Sequence, residues 1–178
     1  EEKNNILQAL MMMDEANDLA IRIIGSESDP ELKRQAIHVL GINEGTEELM
    51  DLYQSSEDPN TRKDIIEAMS IADDSQGLIR ILESEQDQEL RIAAIRYLGV
   101  TDNEDARQAL EGLYSNGSKQ EKSAIIESMM IMDDPKGLIE LMKQEDDPEL
   151  KRQMLQMLTL MDSDEADRYL FDQLESKQ

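Results

Sequence analysis

Apolar residues along this chain return in threes. Ile6, Leu7 and Leu10 form the first set; Ala36, Ile37 and Leu40 the second; Ile65, Ile66 and Met69 the third. Ala94, Ile95 and Leu98, then Ile125, Ile126 and Met129, then Met154, Leu155 and Leu158 complete the series. Each set has the spacing i, i+1, i+4, which shares one stripe of an α-helix and splits across both faces of a strand. Seven positions before each of the last five sets stands a polar turn residue: Asp29, Asp58, Asp87, Ser118 and Asp147. Their near-regular spacing defines a repeat of about 30 residues, within the range of stacked helical arrays. A base follows each turn residue by four places, at Lys33, Arg62, Arg91, Lys122 and Lys151, and Lys3 continues that row into a truncated first unit.

The turn residues are helix start signals. Asp or Ser can cap free backbone N–H groups, and Pro, present at Pro30, Pro59 and Pro148, fits the first helical turn. A second helix fills each remaining interval, near 15–26, 44–56, 103–115 and 163–175, and most clearly around Gly77-Leu78-Ile79 and Gly137-Leu138-Ile139. Asp14, Asn43, Asp73, Asp102, Asp133 and Asp162 stand where these helices begin and are expected to cap them. The pattern predicts about twelve helices and no strand. A longer period overlies the first. Arg62 to Leu90 resembles Lys122 to Leu150 more than either resembles its neighbours, so helix pairs alternate with a period of two units. Tyr53 and Tyr114 recur two units apart, which reads as repeat packing.

Composition agrees with helices and narrows the chemistry. The apolar residues are chiefly Leu, Ile, Ala and Met, mostly good helix formers, and aromatics are only 3% with no Trp. The absence of Cys removes disulfides, zinc–thiolate sites and thiol nucleophiles. No apolar run approaches the roughly 18 residues of a membrane span. No signal or lipidation pattern is visible. The chain opens at Glu1, without Met and inside a unit, which points to a processed or trimmed piece. Cytoplasmic and secreted or periplasmic locations therefore both stay open. A net charge of −23 repels phosphate backbones and anionic lipid surfaces, so neither nucleic-acid binding nor membrane insertion is expected. It favours a protein partner that is basic or amphipathic.

Residues 29–41, Asp-Pro-Glu-Leu-Lys-Arg-Gln-Ala-Ile-His-Val-Leu-Gly, resemble the second helix of the short HEAT repeat found in phycobilisome-lyase relatives, and Asp87 to Gly99 does so again. Tetratricopeptide and ankyrin signatures are absent, and longer HEAT or armadillo units run to about 40–47 residues. The resemblance implies an all-α, right-handed α–α superhelix, a HEAT-like solenoid of about twelve helices in roughly six stacked pairs. It implies one domain over 1–178, with units near 1–28, 29–57, 58–86, 87–117, 118–146 and 147–178. It also implies a polar ladder between repeats, Asp29, Asp58, Asp87 and Asp147 with Lys33, Arg62, Arg91 and Lys151, weakened where Ser118 replaces the acid beside Lys122. The second helices are placed on the concave face.

That placement selects a candidate protein-binding groove. Nine positions after each turn residue stand His38, Glu67, Arg96, Glu127 and Gln156, a polar row beside the core stripe that Gln8 extends. Ser70 and Met130 belong to the adjoining row with Met11 and Thr159, and Tyr97 is a candidate aromatic anchor. Twelve Met residues, clustered at Met11-Met12-Met13 and Met129-Met130, suit an adaptable surface. Met129 itself falls in the core stripe. The acidic groups Asp73-Asp74, Asp133-Asp134 and Glu145-Asp146-Asp147 lack the calcium-loop pattern and read as helix caps. A HEAT-fold hydroxylase needs repeated His-Glu pairs, but His38 is the only histidine and Val39 follows it. HEAT-fold DNA glycosylases need a basic groove with aromatic residues. No Gly-x-Ser-x-Gly elbow occurs.

The expectation from sequence is a non-catalytic protein–protein scaffold with no metal, no cofactor and no enzyme activity. A lyase-like chromophore-attachment subunit, and a structural or sensory spacer within a larger protein, are the alternatives. Terminal units should be the weakest, because each stacks on one neighbour only, and Phe171 and Leu174 are expected to need cover.

Overall fold

The computed structural model describes residues 16–101 and 103–175. The expectations placed on Lys3, Ile6, Leu7, Gln8, Leu10, Met11, Met12, Met13, Asp14 and Asp102 lie outside the described residues. Eleven α-helices and no strand are present among the described residues. They are α1 (Ala16–Ser26), α2 (Pro30–Ile42), α3 (Thr46–Ser55), α4 (Pro59–Ile71), α5 (Ser75–Ser84), α6 (Gln88–Thr101), α7 (Glu104–Tyr114), α8 (Lys119–Ile131), α9 (Pro135–Gln144), α10 (Pro148–Leu160) and α11 (Asp164–Glu175). Two compact units divide the chain, Glu1–Tyr97 and Leu98–Gln178, and the division falls within α6.

Helices of 13 or 14 residues (α2, α4, α6, α8, α10) alternate with shorter ones. The long helices begin where their caps dictate. Asp58 accepts from the N–H groups of Asn60 and Thr61, and Asp147 from those of Glu149 and Leu150. Ser118 and Glu121 form a reciprocal capping box. In the first unit α2 packs on α1, α3 and α4, and α4 packs on α3 and α5. In the second, α8 packs on α7, α9 and α10, and α10 packs on α9 and α11. Each unit is therefore a two-layered stack of helix pairs, the HEAT-like arrangement.

The apolar stripe is the core. Ala36, Ile37, Leu40, Ile65, Ile66, Met69, Ala94, Ile95, Leu98, Ile125, Ile126, Met129, Met154 and Leu158 are all buried. Full burial of a large aliphatic side chain is worth about 1.5–3 kcal/mol. Leu155 departs from the pattern and is only half-buried. It lies on the last long helix among the described residues and lines a cleft with Tyr169 and Gln173 of α11.

Turn chemistry corrects four of the expected caps. Asp73 and Asp133 do not cap α5 and α9; they adopt left-handed backbone, φ 53° and 49°. Each is the turning residue of a Schellman motif, in which Asp73 N–H donates to the Ser70 carbonyl and Asp74 N–H to that of Met69, with the equivalent pair at Asp133 and Asp134. The second acid of each pair is the cap: Asp74 and Asp134 accept from Gly77 and Gly137 N–H. A Cβ on either glycine would collide with that carboxylate, which explains glycine at these positions. Asn43 ends α2 rather than starting α3, and Glu44, at φ 55°, takes the left-handed role there. Ser163, not Asp162, accepts from the first N–H groups of α11.

The Leu-Gly ends of α2 and α6 have a packing cause. A Cβ on Gly41 would lie 2.6 Å from the Ala68 carbonyl oxygen, and one on Gly99 would lie 2.5 Å from Ser128 Cβ. Glycine thus lets one long helix approach a small residue on the next. Ser70 instead faces Tyr97, donating to its carbonyl at 3.5 Å. Glycine and larger residues alternate at this contact, Gly41, Ser70, Gly99 and Met130, in step with the two-unit period.

Two opposite outcomes follow for glycine. Gly99→Ala should cost about 1–3 kcal/mol, as overpacking does. Glu44→Gly should raise stability by about 1 kcal/mol by relieving the left-handed strain. Chemical denaturation of both variants reads the two signs.

Candidate functional site

Long-helix surfaces carry the residues selected from sequence, and each unit holds its own share. In the first, His38 on α2 and Arg96 on α6 are exposed, while Glu67 and Ser70 on α4 and Tyr97 on α6 are half-buried. Glu67 and Tyr97 are brought together. Burial, followed by the charge and hydrogen bond of Glu67, raises the Tyr97 hydroxyl above its usual value. Asp64, on the preceding turn of α4, is raised by burial and by Glu67, against the pull of Arg34. Arg34 is itself held by Glu31 at 2.9 Å. In the second unit Glu127 and Met130 on α8 are half-buried and Gln156 on α10 is exposed. The facing sides of α8 and α10 are tied by Ser123 Oγ donating to Gln153 Oε1 at 2.9 Å, and by Lys119 with Asp147 and Glu149.

A buried pair of clusters escaped the sequence reading. In the first unit the Tyr53 hydroxyl donates to Glu85 Oε2 at 2.6 Å, and Arg62 Nη1 donates to the same oxygen at 3.2 Å. Glu85 Oε1 accepts from the N–H groups of Gln86 and Asp87. The second unit repeats the set: the Tyr114 hydroxyl and Lys122 Nζ donate to Glu145 Oε2 at 2.8 and 2.9 Å, and the Asp146 and Asp147 N–H groups to Oε1. Arg62 and Lys122 also lie over the rings of Tyr53 and Tyr114, 5.1 and 4.9 Å from the centroids, within cation–π range. The available signal was Glu at two positions before the turn residue in alternate units, at Glu27, Glu85 and Glu145. Glu27 Oε1 likewise accepts from the Ser28 and Asp29 N–H groups.

These clusters replace the expected ladder. Arg62 meets Glu85 and the Ser56 carbonyl, and Arg91 meets the Leu82 and Glu85 carbonyls. Asp147 is met by Lys119 rather than by Lys151. At the Ser118 unit Lys122 reaches the buried Glu145, and Lys119 reaches Asp147 in the next repeat. Asp29, Asp58, Asp87 and Asp147 each accept from N–H groups of their own helix, and Asp147 meets Lys119 as well.

Two clefts lie in the second unit. One, between α7 and α9, is lined by Glu104, Arg107, Glu111, Asp134, Lys136 and Glu140. Burial raises the Glu111 carboxyl, and the charges of Asp134, Glu104 and Glu140 raise it further. The other, between α9, α10 and α11, has an apolar floor of Met142, Pro148 and Leu155, with Lys151, Arg152, Tyr169 and Gln173 around it. Its charged lining residues are both basic, in a chain of net charge −23. Its volume of about 420 Å³ falls within the ~300–1,000 Å³ of small-molecule sites. Among the described residues no group of three or more His, Asp or Glu is arranged to hold a metal ion. No helix among them is long and apolar enough to cross a membrane.

Burial works against the Glu145 charge, but the Asp147 N–H, Lys122, the Tyr114 hydroxyl and the Asp146 N–H outweigh it and hold the carboxyl at about 2, below its ordinary 4.5. A depressed carboxyl stabilises the fold above its unfolded value and loses that contribution as pH falls toward the folded one. Glu145→Gln should therefore cost about 2–3 kcal/mol at neutral pH. The gap to the parent protein should close between pH 4.5 and 2, as followed by urea denaturation across that range.

Comparison with known proteins adds the family context. Residues 75–138 match the sequence profile of HEAT repeats. No curated protein matches the chain. Among 13 matching chains of solved structures is one from the complex of CpcE and CpcF of the phycocyanin lyase of Nostoc sp. PCC7120. The TM-score is 0.56 at 18% identity, over 82% of this chain and 65% of that one, so this chain spans slightly less than two thirds of its length. This corrects the expectation that the chain is not an enzyme. That inference treated stacked repeats as unsuited to catalysis, yet a chain of the same fold stands in a lyase complex. Residues 75–138 thus carry HEAT-repeat sequence, and the stacked helix pairs of the chain are similar in fold to a chain of the Nostoc phycocyanin lyase complex.

Proposed function

We propose that this chain is a protein-binding subunit of the chromophore-lyase kind, which helps to attach an open-chain tetrapyrrole to an acceptor protein. The observation that carries this reading is the fold shared with a chain of the CpcE–CpcF phycocyanin lyase complex over 82% of the present chain. The cleft between α9, α10 and α11 supports it. An open-chain tetrapyrrole is a long apolar π-system with pendant carboxylates. Met142 and Leu155 offer it an apolar floor, and Lys151 and Arg152 offer its carboxylates two bases. The acceptor protein is assigned to the polar rows of the long helices: His38, Glu67, Ser70, Arg96 and Tyr97 in the first unit, and Glu127, Met130 and Gln156 in the second.

The test is spectroscopic. Purified protein, alone and together with a candidate partner subunit, is mixed with a bilin and an acceptor apoprotein, and the visible spectrum is followed. A red-shifted, acid-stable band on the acceptor is expected. Lys151→Glu combined with Arg152→Glu should lower its rate of appearance at least tenfold. Arg96→Ala combined with Tyr97→Ala should weaken acceptor binding with helicity unchanged. No spectral change under any pairing would sink the lyase reading.

A further inference from the structure

Eight large apolar residues are exposed among the described residues, and five of them occupy one repeat position: Ile42, Ile71, Val100, Ile131 and Leu160. Each stands thirteen places after its turn residue, at the C-terminal end of a long helix. Scattered exposed aliphatics are ordinary; one in every repeat at the same place is a pattern. The second unit shows it most fully, with Val100, Ile131 and Leu160 exposed by 57, 59 and 69%.

Acids fringe this row. Two residues beyond Ile131 is Asp133 and two beyond Leu160 is Asp162, both exposed. In the first unit Ile42 and Ile71 are followed in the same way by exposed Glu44 and Asp73. Left-handed backbone at Glu44, Asp73 and Asp133 fixes where the fringe stands relative to the helix end. Lys136 is the base nearest to Asp133 in sequence. The helices that carry Ile131 and Leu160 pack side by side, so their axes are about 8–10 Å apart. A partner helix places residues i and i+7 about 10.5 Å apart on one face. One apolar residue per heptad would therefore step along the row in register with it.

We infer that this turn edge of the second unit docks an amphipathic helix of a partner protein, one with an aliphatic residue every seventh position and Lys or Arg beside it. Charge complementarity selects this occupant. A second copy of the chain would bring Asp133 and Asp162 against their own kind, and an acidic fringe repels anionic lipid. The edge is a different surface from the polar rows and the basic cleft, and the inference does not rest on the lyase reading.

The probe is a synthetic helical peptide with Leu at every seventh position and Lys at the flanking positions, titrated by fluorescence anisotropy at low and high salt. Ile131→Ser with Leu160→Ser should weaken binding at least tenfold, and a peptide with Ser in place of Leu should bind as poorly to the parent protein. Asp133→Asn with Asp162→Asn should weaken it several-fold and flatten the salt dependence. Circular dichroism checks that the variants stay folded, as exposed positions allow. Equal binding by the Ser variants would overturn the proposal, since net charge alone would then be holding the peptide. Sedimentation showing a dimer of the parent that these same variants dissociate would also overturn it, because the edge would then hold a second copy.

Discussion

No helix pair in this chain can bury its own apolar stripe. A unit of about 30 residues makes only two short helices, and isolated helices shorter than about 12–15 residues are marginal in water. Ile65, Ile66 and Met69 are fully buried because neighbouring helices close over them. Stability is consequently a property of contacts between repeats, and each repeat is only as secure as its neighbours. Leu155 shows the rule from the other side: the same position in the pattern is only half-buried in the last long helix among the described residues.

On this shared core the protein adds a second, polar set of ties. Glu85 and Glu145 are buried carboxylates, each gathering a cation, two backbone N–H groups and the hydroxyl of a tyrosine one unit upstream. A buried charge without such company would cost several kcal/mol. With it, one side chain fixes the loop that starts the next long helix and holds the preceding short helix against it. Tyr53 and Tyr114 fit this arrangement on both ends, since their rings pack in the core while their hydroxyls meet the carboxylate and their faces meet a cation. The clusters also account for why the acids at the turn positions are free to cap helices.

Much of the architecture was legible because it is local. The stripe, the long-helix caps Asp29, Asp58, Ser118 and Asp147, and the helix starts at Pro30, Pro59 and Pro148 are each written within a short stretch of chain. Contacts across the repeat were not. Glu85 is one of 41 acidic residues, marked only by its recurring place two before the turn residue, and its partner Tyr53 belongs to the preceding unit, so no local pattern shows that the two meet. Asp73 and Asp74 look interchangeable as letters, and only the turn that α4 makes at its end separates the left-handed residue from the cap. The Asp–base ladder failed for the same reason: family resemblance supplied the residues, while the partners were chosen by the spacing of the helices. Among the binding candidates, the polar row includes exposed His38 and Gln156, but a row of letters could not foresee that Tyr97 would be turned toward Glu67.

The alternation of glycine with larger residues at the long-helix contacts has a consequence for how such a protein can change length. Gly41 meets Ala68, and Ser70 meets Tyr97. Excising residues 58–86 would set Gly41 against Tyr97 in place of Ala68 and bring two glycine-ended helices together, which breaks the alternation. Excising two consecutive units would leave every junction with its proper complement. Copy number in this array can therefore be edited in doublets, and the heritable module is the pair of repeats.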